Sequence, residues 1–319
     1  MSEHWQRKRE ILALMAAGDF VSGELLAEKL GISRSAINKH MDGLADYGVS
    51  LFSVKGKGYK LASPVSLIDP VRLKQGIGKR CFYFDETDST NAFMLQHADE
   101  LESGDLCVAE YQSSGRGRRG RSWVSPYGSH LYFSLFWSLP ELSKAMGLSL
   151  VAGCALAKVL ADLGVEELGL KWPNDLYFQG RKLAGILVEI KGQADGECQL
   201  VIGIGVNLAM PMSQAEKIDQ PWSDLQSTER MPDKTSLTLA LHSQLCRDLE
   251  LFEREGLCAF QSRWSAADEF AGKPVELLMA DRRIAGICRG IDEQGALLLE
   301  TDAGLQSFIG GEISLRAGH

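Results

Sequence analysis

Apolar positions in the first 65 residues recur with a helical period and then switch to alternation. Trp5–Met15 carries Ile11, Leu12, Leu14 and Met15, a stripe that predicts one amphipathic helix. Ser22 is placed to cap a second helix over Glu24–Leu30. Gly31-Ile32-Ser33 turns the chain into a third over Arg34–Tyr47, with Ser33 as its cap. Ala36, Ile37, Met41 and Leu44 share one face of that third helix, and Arg34, Ser35, Asn38 and Lys39 the other. Leu51–Val54 and Tyr59–Leu61 alternate around a Lys55-Gly-Lys57-Gly tip, which predicts a hairpin with a basic, flexible end. This is the pattern of a winged helix-turn-helix. Arg34, Ser35, Asn38 and Lys39 are types that reach base edges or phosphates from a helix laid in the major groove. Lys55 and Lys57 suit phosphates or the minor groove. Ser22 and Ser33, at the helix N-termini, complete the candidate DNA-binding set. A module of this fold can instead serve protein contacts. If it does bind DNA it needs a dimer to span two half-sites, and the rest of the chain must supply that.

Ala62–Ser66 and Asp69-Pro70 read as a linker. Beyond it, short β-rich runs alternate with helical ones, as in an α+β domain with a mixed sheet. Cys81–Phe84, Leu106–Tyr111, His130–Trp137, Leu183–Ile190 and Gln199–Val206 predict strands. Lys144–Leu163, capped by Ser143, and Thr235–Glu255 predict long helices. From residue 271 the pattern changes to short strands at Val275–Met279, Arg283–Ile291, Ala296–Glu300 and Gln306–Ile309, separated by Asp-Arg, Glu-Gln-Gly and Ala-Gly turns. That is the pattern of a small β-barrel. Three domains are expected, at 1–65, 66–270 and 271–319.

Composition narrows the class. Of 319 residues, 45% are apolar and 24% charged, enough to bury a sizeable core. Residues 1–65 hold nine Lys/Arg against seven Asp/Glu, and the remainder 25 against 35, so only the head is suited to a polyanion. The apolar stretch near Leu148–Leu160 is broken by Ser149, Gly153 and Lys158, which excludes a membrane span. The N-terminus has no signal-peptide pattern. Seven dispersed cysteines without a C-x-x-C pair read as reduced thiols in a cytoplasmic protein, not as a zinc or disulfide framework.

The segment with most chemistry is Gln112–Trp123, QSSGRGRRGRSW. Gly115, Gly117 and Gly120 match G-x-G-x-x-G, but the next residues, Arg121–Pro126, do not form a helical pattern. No helix N-terminus therefore faces a pyrophosphate, and no P-loop motif occurs elsewhere. Arginines set among glycines suit a loop that folds over a phosphorylated ligand and excludes water. A solvated basic loop is the plainer alternative. Asp88–Asn91 offers short polar side chains opening a helix. Lys171–Asp175 groups a cation, an aromatic, a rigid turn and a carboxylate at a strand end. Arg181–Glu189 places Lys182 at the mouth of an apolar strand, and the glycines of Gly203–Asn207 let a ligand approach backbone closely.

These motifs in this order, from Ser89-Thr-Asn91 through Gly115–Arg121, Lys171–Asp175, Arg181–Gly185 and Gly203–Asn207 to the closing Gly310–Ser314, resemble the biotin–protein ligase family. With the head, the chain is similar to the bifunctional bacterial ligase and biotin-operon repressor. The resemblance implies a central domain like class II aminoacyl-tRNA synthetases and lipoate ligases, followed by an SH3-like barrel. It places Ser89, Thr90, Asn91 and Gln112 at the biotin head group, and Gly115, Arg116, Gly117 and Arg118 at its tail and the phosphate. Lys182 falls at the ligand carboxylate, and Trp222 in a second, adenine-covering loop within Ala209–Pro232. Trp123, Gly185, Gly203, Gly205 and Asn207 complete the implied biotinyl-AMP site. The implied substrates are ATP, with its Mg2+, and biotin, with no dedicated protein metal site. The implied partners are the biotin carboxyl carrier protein of acetyl-CoA carboxylase, operator DNA and, when adenylate is bound, a second copy meeting near Val188–Lys191. Arg116, Arg118, Arg121 and Lys182 would neutralise charge developing at phosphorus. Asp175 would serve either the metal or the proton of the acceptor amine. A lipoate-type ligase, a non-enzymatic sensing repressor, and a ligase whose head does not bind DNA stand as alternatives.

Overall fold

The computed structural model describes residues 3–16, 18–191, 198–228, 231–279, 283–309 and 314–317. The head contains α1 (Glu3–Met15), α2 (Gly23–Leu30) and α3 (Arg34–Asp42). Ser22 Oγ accepts the Leu25 amide at 3.0 Å and Ser33 Oγ the Ala36 amide at 3.2 Å, so both helices start where their caps predict. Ile11, Leu12, Met15, Leu26, Ile37 and Met41 form the head's core. The third helix stops before Tyr47. Gly43 follows its last residue, and Ala45–Tyr47 forms a separate 3-10 turn. Glycine weakens a helix interior by about 1 kcal/mol, and Gly48, at φ 77°, redirects the chain toward the hairpin. β1 (Leu51–Val54) and β2 (Gly58–Leu61) pair antiparallel, and Val21 bridges Tyr59 on the far side of β2.

The stretch expected as a linker is packed. Val65 and Ile68 are buried, and the Ser66 amide donates to Gly128 O at 2.9 Å. Trp5 stacks on Tyr127 with ring centroids 4.5 Å apart and planes 5° from parallel. Arg9 lies 3.3 Å from Glu110 and 3.6 Å from Asp85, and donates to the Tyr83 hydroxyl and Ile68 O. Glu110 also accepts the Ile68 amide at 2.7 Å and the Lys234 ammonium at 2.6 Å. Two carboxylates and two cations thus balance at the boundary of head and body. The reason is geometric: neighbouring strand ends bring Asp85 and Glu110 together, and buried carboxylates need cations close by.

The body runs through α4 (Pro70–Gly76), β3 (Cys81–Phe84), α5 (Thr90–Gln96), β4 (Leu106–Ala109), β5 (His130–Leu139), α6 (Leu148–Asp162), β6 (Leu168–Lys171), β7 (Asp175–Phe178), β8 (Arg181–Lys191), β9 (Cys198–Asn207), the short α7 (Met212–Ala215), α8 (Lys234–Glu255) and α9 (Gln261–Ala267). Its seven strands form one mixed sheet in the order β3-β4-β5-β9-β8-β7-β6, with β3–β4 parallel and every other pair antiparallel. α6 starts at Leu148 instead of Lys144, and its N-cap is Gly147, not Ser143. Gly147 sits at φ 86°, a left-handed conformation that a helix interior does not admit. The buried face of α6 joins Leu131, Phe133, Ile202 and Ile204 of the sheet and Leu241 and Leu245 of α8 in one core.

β10 (Pro274–Leu278), β11 (Arg283–Ile291), β12 (Leu297–Thr301), β13 (Gly304–Phe308) and β14 (Ser314–Ala317) form a separate antiparallel sheet, in the order β13-β12-β11-β10-β14. The Trp172 indole N–H donates to Gly295 O at 3.0 Å, which ties this unit to the β6–β7 hairpin. The expected Asp-Arg turn at 281–282 and the glycine pair at 310–311 lie outside the described residues.

Candidate functional site

Alternation along three adjacent strands makes the floor of a cavity. Leu131, Phe133, Ile186, Ile202 and Ile204 point toward α6, so their neighbours Tyr132, Ser134, Gly185, Leu187, Gly203 and Gly205 point to the opposite face. Register sets Ser134, Gly203 and Leu187 in one row, and Tyr132, Gly205 and Gly185 in the next. The glycines are required by close approach. A Cβ on Gly203 would lie 2.3 Å from Asn91 Oδ1, and one on Gly205 2.5 Å from the Trp123 ring. A cavity of about 130 Å³ stands on this floor.

One wall is polar. Ser89 caps α5 by accepting the Ala92 amide at 3.3 Å, which fixes Thr90 and Asn91 at the cavity. Gln112 Oε1 accepts the Thr90 amide at 2.9 Å, while its own amide donates to Ser125 Oγ at 3.1 Å. Gly115, whose absent Cβ would meet Ser125 Oγ and Trp123 O at 2.5 Å, lets the arginine loop leave this wall tightly.

The other wall is cationic. Arg116, Arg118, Arg119, Arg121, Lys171 and Lys182 line the cavity against a single lining carboxylate, Asp175, among the described residues. The loop is curled by a 3-10 turn at Arg118–Gly120, with Arg119 at φ 59° and Gly117 N donating to Arg121 O at 2.7 Å. Arg118 donates to Asn174 Oδ1 at 3.0 Å, and its burial lowers its affinity for a proton. Lys182 Nζ lies 2.9 Å from Asp175 Oδ1 and 5.7 Å from the centre of the Trp123 ring.

Trp123 separates this cavity from a second of about 350 Å³, lined by Asn207, Met210, Lys217, Ile218 and Trp222. Arg121, Ser122, Trp123, Lys182 and Gln220 face both. The second loop is pinned beside Lys182: the Ser223 amide donates to Lys182 O at 2.8 Å, and Asn207 Nδ2 to Ser223 O at 3.1 Å. The two cavities together suit an extended ligand with a polar head, an anionic middle and a flat end.

Every predicted body residue except Gly115, Asn207 and Trp222 lines the first cavity. Gly115 shapes the loop's exit, and the other two line the second cavity. Gln220 and Ser134 were not among the expected site residues, and Asn174 and Glu189 were expected only as members of the Lys171–Asp175 block, the Arg181–Glu189 strand and the Val188–Lys191 seam, without roles in the site. Asn174, inside the Lys171–Asp175 block, holds Arg118 and donates to Ile186 O at 2.7 Å. Ser134 and Glu189 sit on strands whose patterns read as ordinary core and surface.

In the head, Arg34, Ser35, Asn38 and Lys39 of α3 and Lys55 and Lys57 at the hairpin tip are exposed. Arg34 pairs with Glu24 at 3.3 Å and Asn38 accepts from the Tyr59 hydroxyl at 2.8 Å, both near the surface. Ser22 and Ser33 spend their side chains on capping.

Comparison with known proteins matches three family models: an HTH domain at residues 7–60, the biotin/lipoate A/B protein ligase family at 82–207, and a biotin protein ligase C-terminal domain at 270–316. The chain is 49% identical to the bifunctional ligase/repressor BirA of Escherichia coli over 310 residues, covering 97% of each chain. It is 34% identical to the biotin–[acetyl-CoA-carboxylase] ligase of Paracoccus denitrificans, covering 71% of this chain and 97% of that one. Among solved structures it is similar to the Aquifex aeolicus biotin protein ligase in complex with biotin and ATP. The TM-score is 0.65 at 29% identity, over 75% of this chain and all of that one.

Proposed function

Because the chain belongs to the family of bifunctional biotin ligase/repressors, we propose that it joins biotin to ATP as biotinyl-5'-AMP, transfers the biotin to a lysine of a carboxylase's biotin carrier protein, and represses transcription with the adenylate as co-repressor. The observation that carries the reading is a single cavity pairing a neutral hydrogen-bonding wall with six cationic side chains. Biotin's ureido ring matches the first wall and phosphate the second. The proposed division is a DNA-binding head at 1–65, a catalytic body at 66–270 and a C-terminal unit at 271–319.

In the first step a biotin carboxylate oxygen attacks the α-phosphorus and pyrophosphate leaves. Both reactants are anions, so the demand on the protein is electrostatic. Arg116, Arg118, Arg121 and Lys182 are assigned to neutralise the charge that builds at phosphorus, each worth about 2.7–4 kcal/mol on the scale of an oxyanion-hole donor. Lys182 is favoured for the reacting oxygens, because it stands at the junction of the two cavities. Ser89, Thr90, Asn91 and Gln112 are assigned to the ureido ring, and Gly115 and Gly117 to the tail. Gly185, Gly203 and Gly205 are the floor, and Trp123, Asn207 and Trp222 the nucleotide chamber. Asp175, one carboxylate beside substrate phosphates, fits the donor set Mg2+ prefers; the ion, arriving with ATP, would supply further neutralisation. In the second step the acceptor's lysine amine attacks the acyl carbon, AMP leaves, and the amine loses a proton for which Asp175 is a candidate acceptor. Arg118 and Arg121 on the curled loop would screen the mixed anhydride from water.

β8 suggests how a second copy would join. β7 pairs with it only as far as Gly185, and among the described residues no strand pairs with Leu187–Lys191 on that side, where Ile190 is exposed. An open edge of this kind accepts another strand, so Val188–Lys191 is proposed as the dimer seam. The acceptor protein would compete for the same surface. No helix of the described residues is long and apolar enough to cross a membrane, in keeping with a proposed cytoplasmic site of action.

Incubation with labelled ATP and biotin tests the reading: pyrophosphate release and a protein-bound adenylate are expected, with neither when lipoate replaces biotin. Absence of both products with biotin would overturn it. A gel shift with DNA upstream of the organism's biotin genes, with and without adenylate, tests the head.

A further inference from the structure

One residue of the head's hairpin reaches across to the exposed face of α3. The hydroxyl of Tyr59, on β2, donates to Asn38 Oδ1 at 2.8 Å. Both partners are held from behind. Tyr59 exchanges backbone hydrogen bonds with Val21, at 2.8 and 2.9 Å, which anchors it to the segment leading into α2. The approach needs glycine just before it: Gly58 sits at φ 101°, and a Cβ there would lie 2.2 Å from Val21 O. The Tyr59 ring then runs beside Gly23, where a Cβ would meet its Cε2 at 3.5 Å. Asn38 is fixed by α3, whose buried face carries Ile37 and Met41. Four residues earlier on the exposed face, Arg34 is held by Glu24 at 3.3 Å.

The direction of the Tyr59 bond decides which end of the Asn38 amide faces outward. An asparagine side chain has an acceptor oxygen and a donor NH2 group. The Tyr59 proton turns the oxygen toward the hairpin, and Nδ2 has no hydrogen-bond partner among the described residues. An asparagine free to turn offers both ends side by side, the pattern that matches adenine N6 and N7 in the major groove. Held as it is here, Asn38 offers donors. Guanine presents two acceptors in that groove, N7 and O6, whereas adenine sets a donor beside its N7 and cytosine presents only a donor.

We propose that Tyr59 is a positioning residue for base recognition: it locks the Asn38 amide with its donors toward DNA, so that the head selects guanine over adenine and cytosine at the base pair that Asn38 meets. The inference rests on the reading of the head as a DNA-binding module and deepens it, by giving one contact its polarity. Tyr59 has no need to touch DNA itself. A surface hydrogen bond of this kind adds little to folding. Its effect on selectivity is larger, because an amide turned over would set its oxygen against the guanine acceptors.

Gel shifts test this with DNA from upstream of the organism's biotin genes, with adenylate bound and each base pair of the site replaced in turn. The position that belongs to Asn38 is the one whose base preference Asn38→Ala erases. There the wild type is expected to favour guanine over adenine and cytosine by about tenfold or more. Tyr59→Phe keeps the ring and frees the amide to turn, so it should bring adenine within about threefold of guanine and leave preferences elsewhere unchanged. Asn38→Asp keeps the Tyr59 bond but presents only acceptors, and should move the preference to cytosine. A wild-type preference for adenine or cytosine at that position would overturn the inference, as would an Asn38→Ala protein that loses no base preference. So would a Tyr59→Phe protein that discriminates as the wild type does, or one that binds every sequence more weakly by the same factor. Wild-type protein that shifts none of these DNAs would sink the DNA-binding reading itself, and this inference with it.

Discussion

Replacing Lys234 by methionine keeps the length of the side chain and removes the ammonium 2.6 Å from Glu110, where neither side chain meets solvent. The cluster would go from two cations and two carboxylates to one and two. Breaking a buried pair by deleting one partner costs about 3–5 kcal/mol, because the remaining charge is stranded in a medium that solvates it poorly. The lower end applies here. Glu110 keeps the Ile68 amide at 2.7 Å and Arg9 at 3.3 Å, so about 3 kcal/mol is expected. That is a large share of the ~5–15 kcal/mol by which folded proteins commonly exceed their unfolded chains. Adding Glu110→Gln restores the charge count to one and one, and should recover all but about 1 kcal/mol. Urea denaturation followed by tryptophan fluorescence would measure both, with midpoint and slope fitted separately. A single variant within about 1 kcal/mol of wild type, or a double variant no better than the single, would refute this account of the cluster.

Four further outcomes are expected. Burial pushes the His130 imidazole down to about 3 from an ordinary 6.5, so the unfolded chain takes up a proton that the native one refuses. Stability should therefore fall as pH drops below 6.5, by up to about 1.4 kcal/mol per unit and roughly 2 kcal/mol at pH 5. His130→Asn should flatten that slope in urea midpoints taken at pH 7 and 5. Lys182→Ala should slow adenylate formation by about 10²–10³ in single-turnover assays, and a loss of only a few-fold would remove its catalytic assignment. Gly205→Ala sets a methyl 2.5 Å from the Trp123 ring. Overpacking of that kind costs about 1–3 kcal/mol, so biotin affinity should drop roughly tenfold or more by titration. Asn38→Ala and Arg34→Ala should each weaken operator binding in gel shifts by about 1–3 kcal/mol if they read bases, and less if they touch only phosphate.

Features governed by neighbours in sequence were legible from the residues alone. Ser22, Ser33 and Ser89 cap the helices they precede, and the runs expected as strands at His130–Trp137, Leu183–Ile190 and Gln199–Val206 are β5, β8 and β9. The glycines of Gly203–Asn207 were expected to let a ligand approach backbone, and the fold adds the register that sets Gly185 opposite Gly205 on the same face. What sequence could not show depends on partners far along the chain. Arg9 reads as one more polar residue on α1 until the fold carries it to Asp85 and Glu110. Ser134 reads as an incidental polar residue in an apolar strand, because its partners lie on α5. The ends of α3 and α6 were misplaced by local conformations at Gly43 and Gly147, where the apolar period ran on but the backbone did not. The β6–β7 hairpin escaped notice because Lys171–Asp175 was read as a block of chemistry, whereas its central residues form the turn between two short strands.

Ile68 is gripped by both of its backbone polar groups, the amide by Glu110 from the body and the carbonyl by Arg9 from the head. A joint held this way has no slack. If two copies meet along β8, their α3 helices stand like the jaws of a caliper locked at one gauge, and DNA with half-sites at another separation would have to twist or bend to fit.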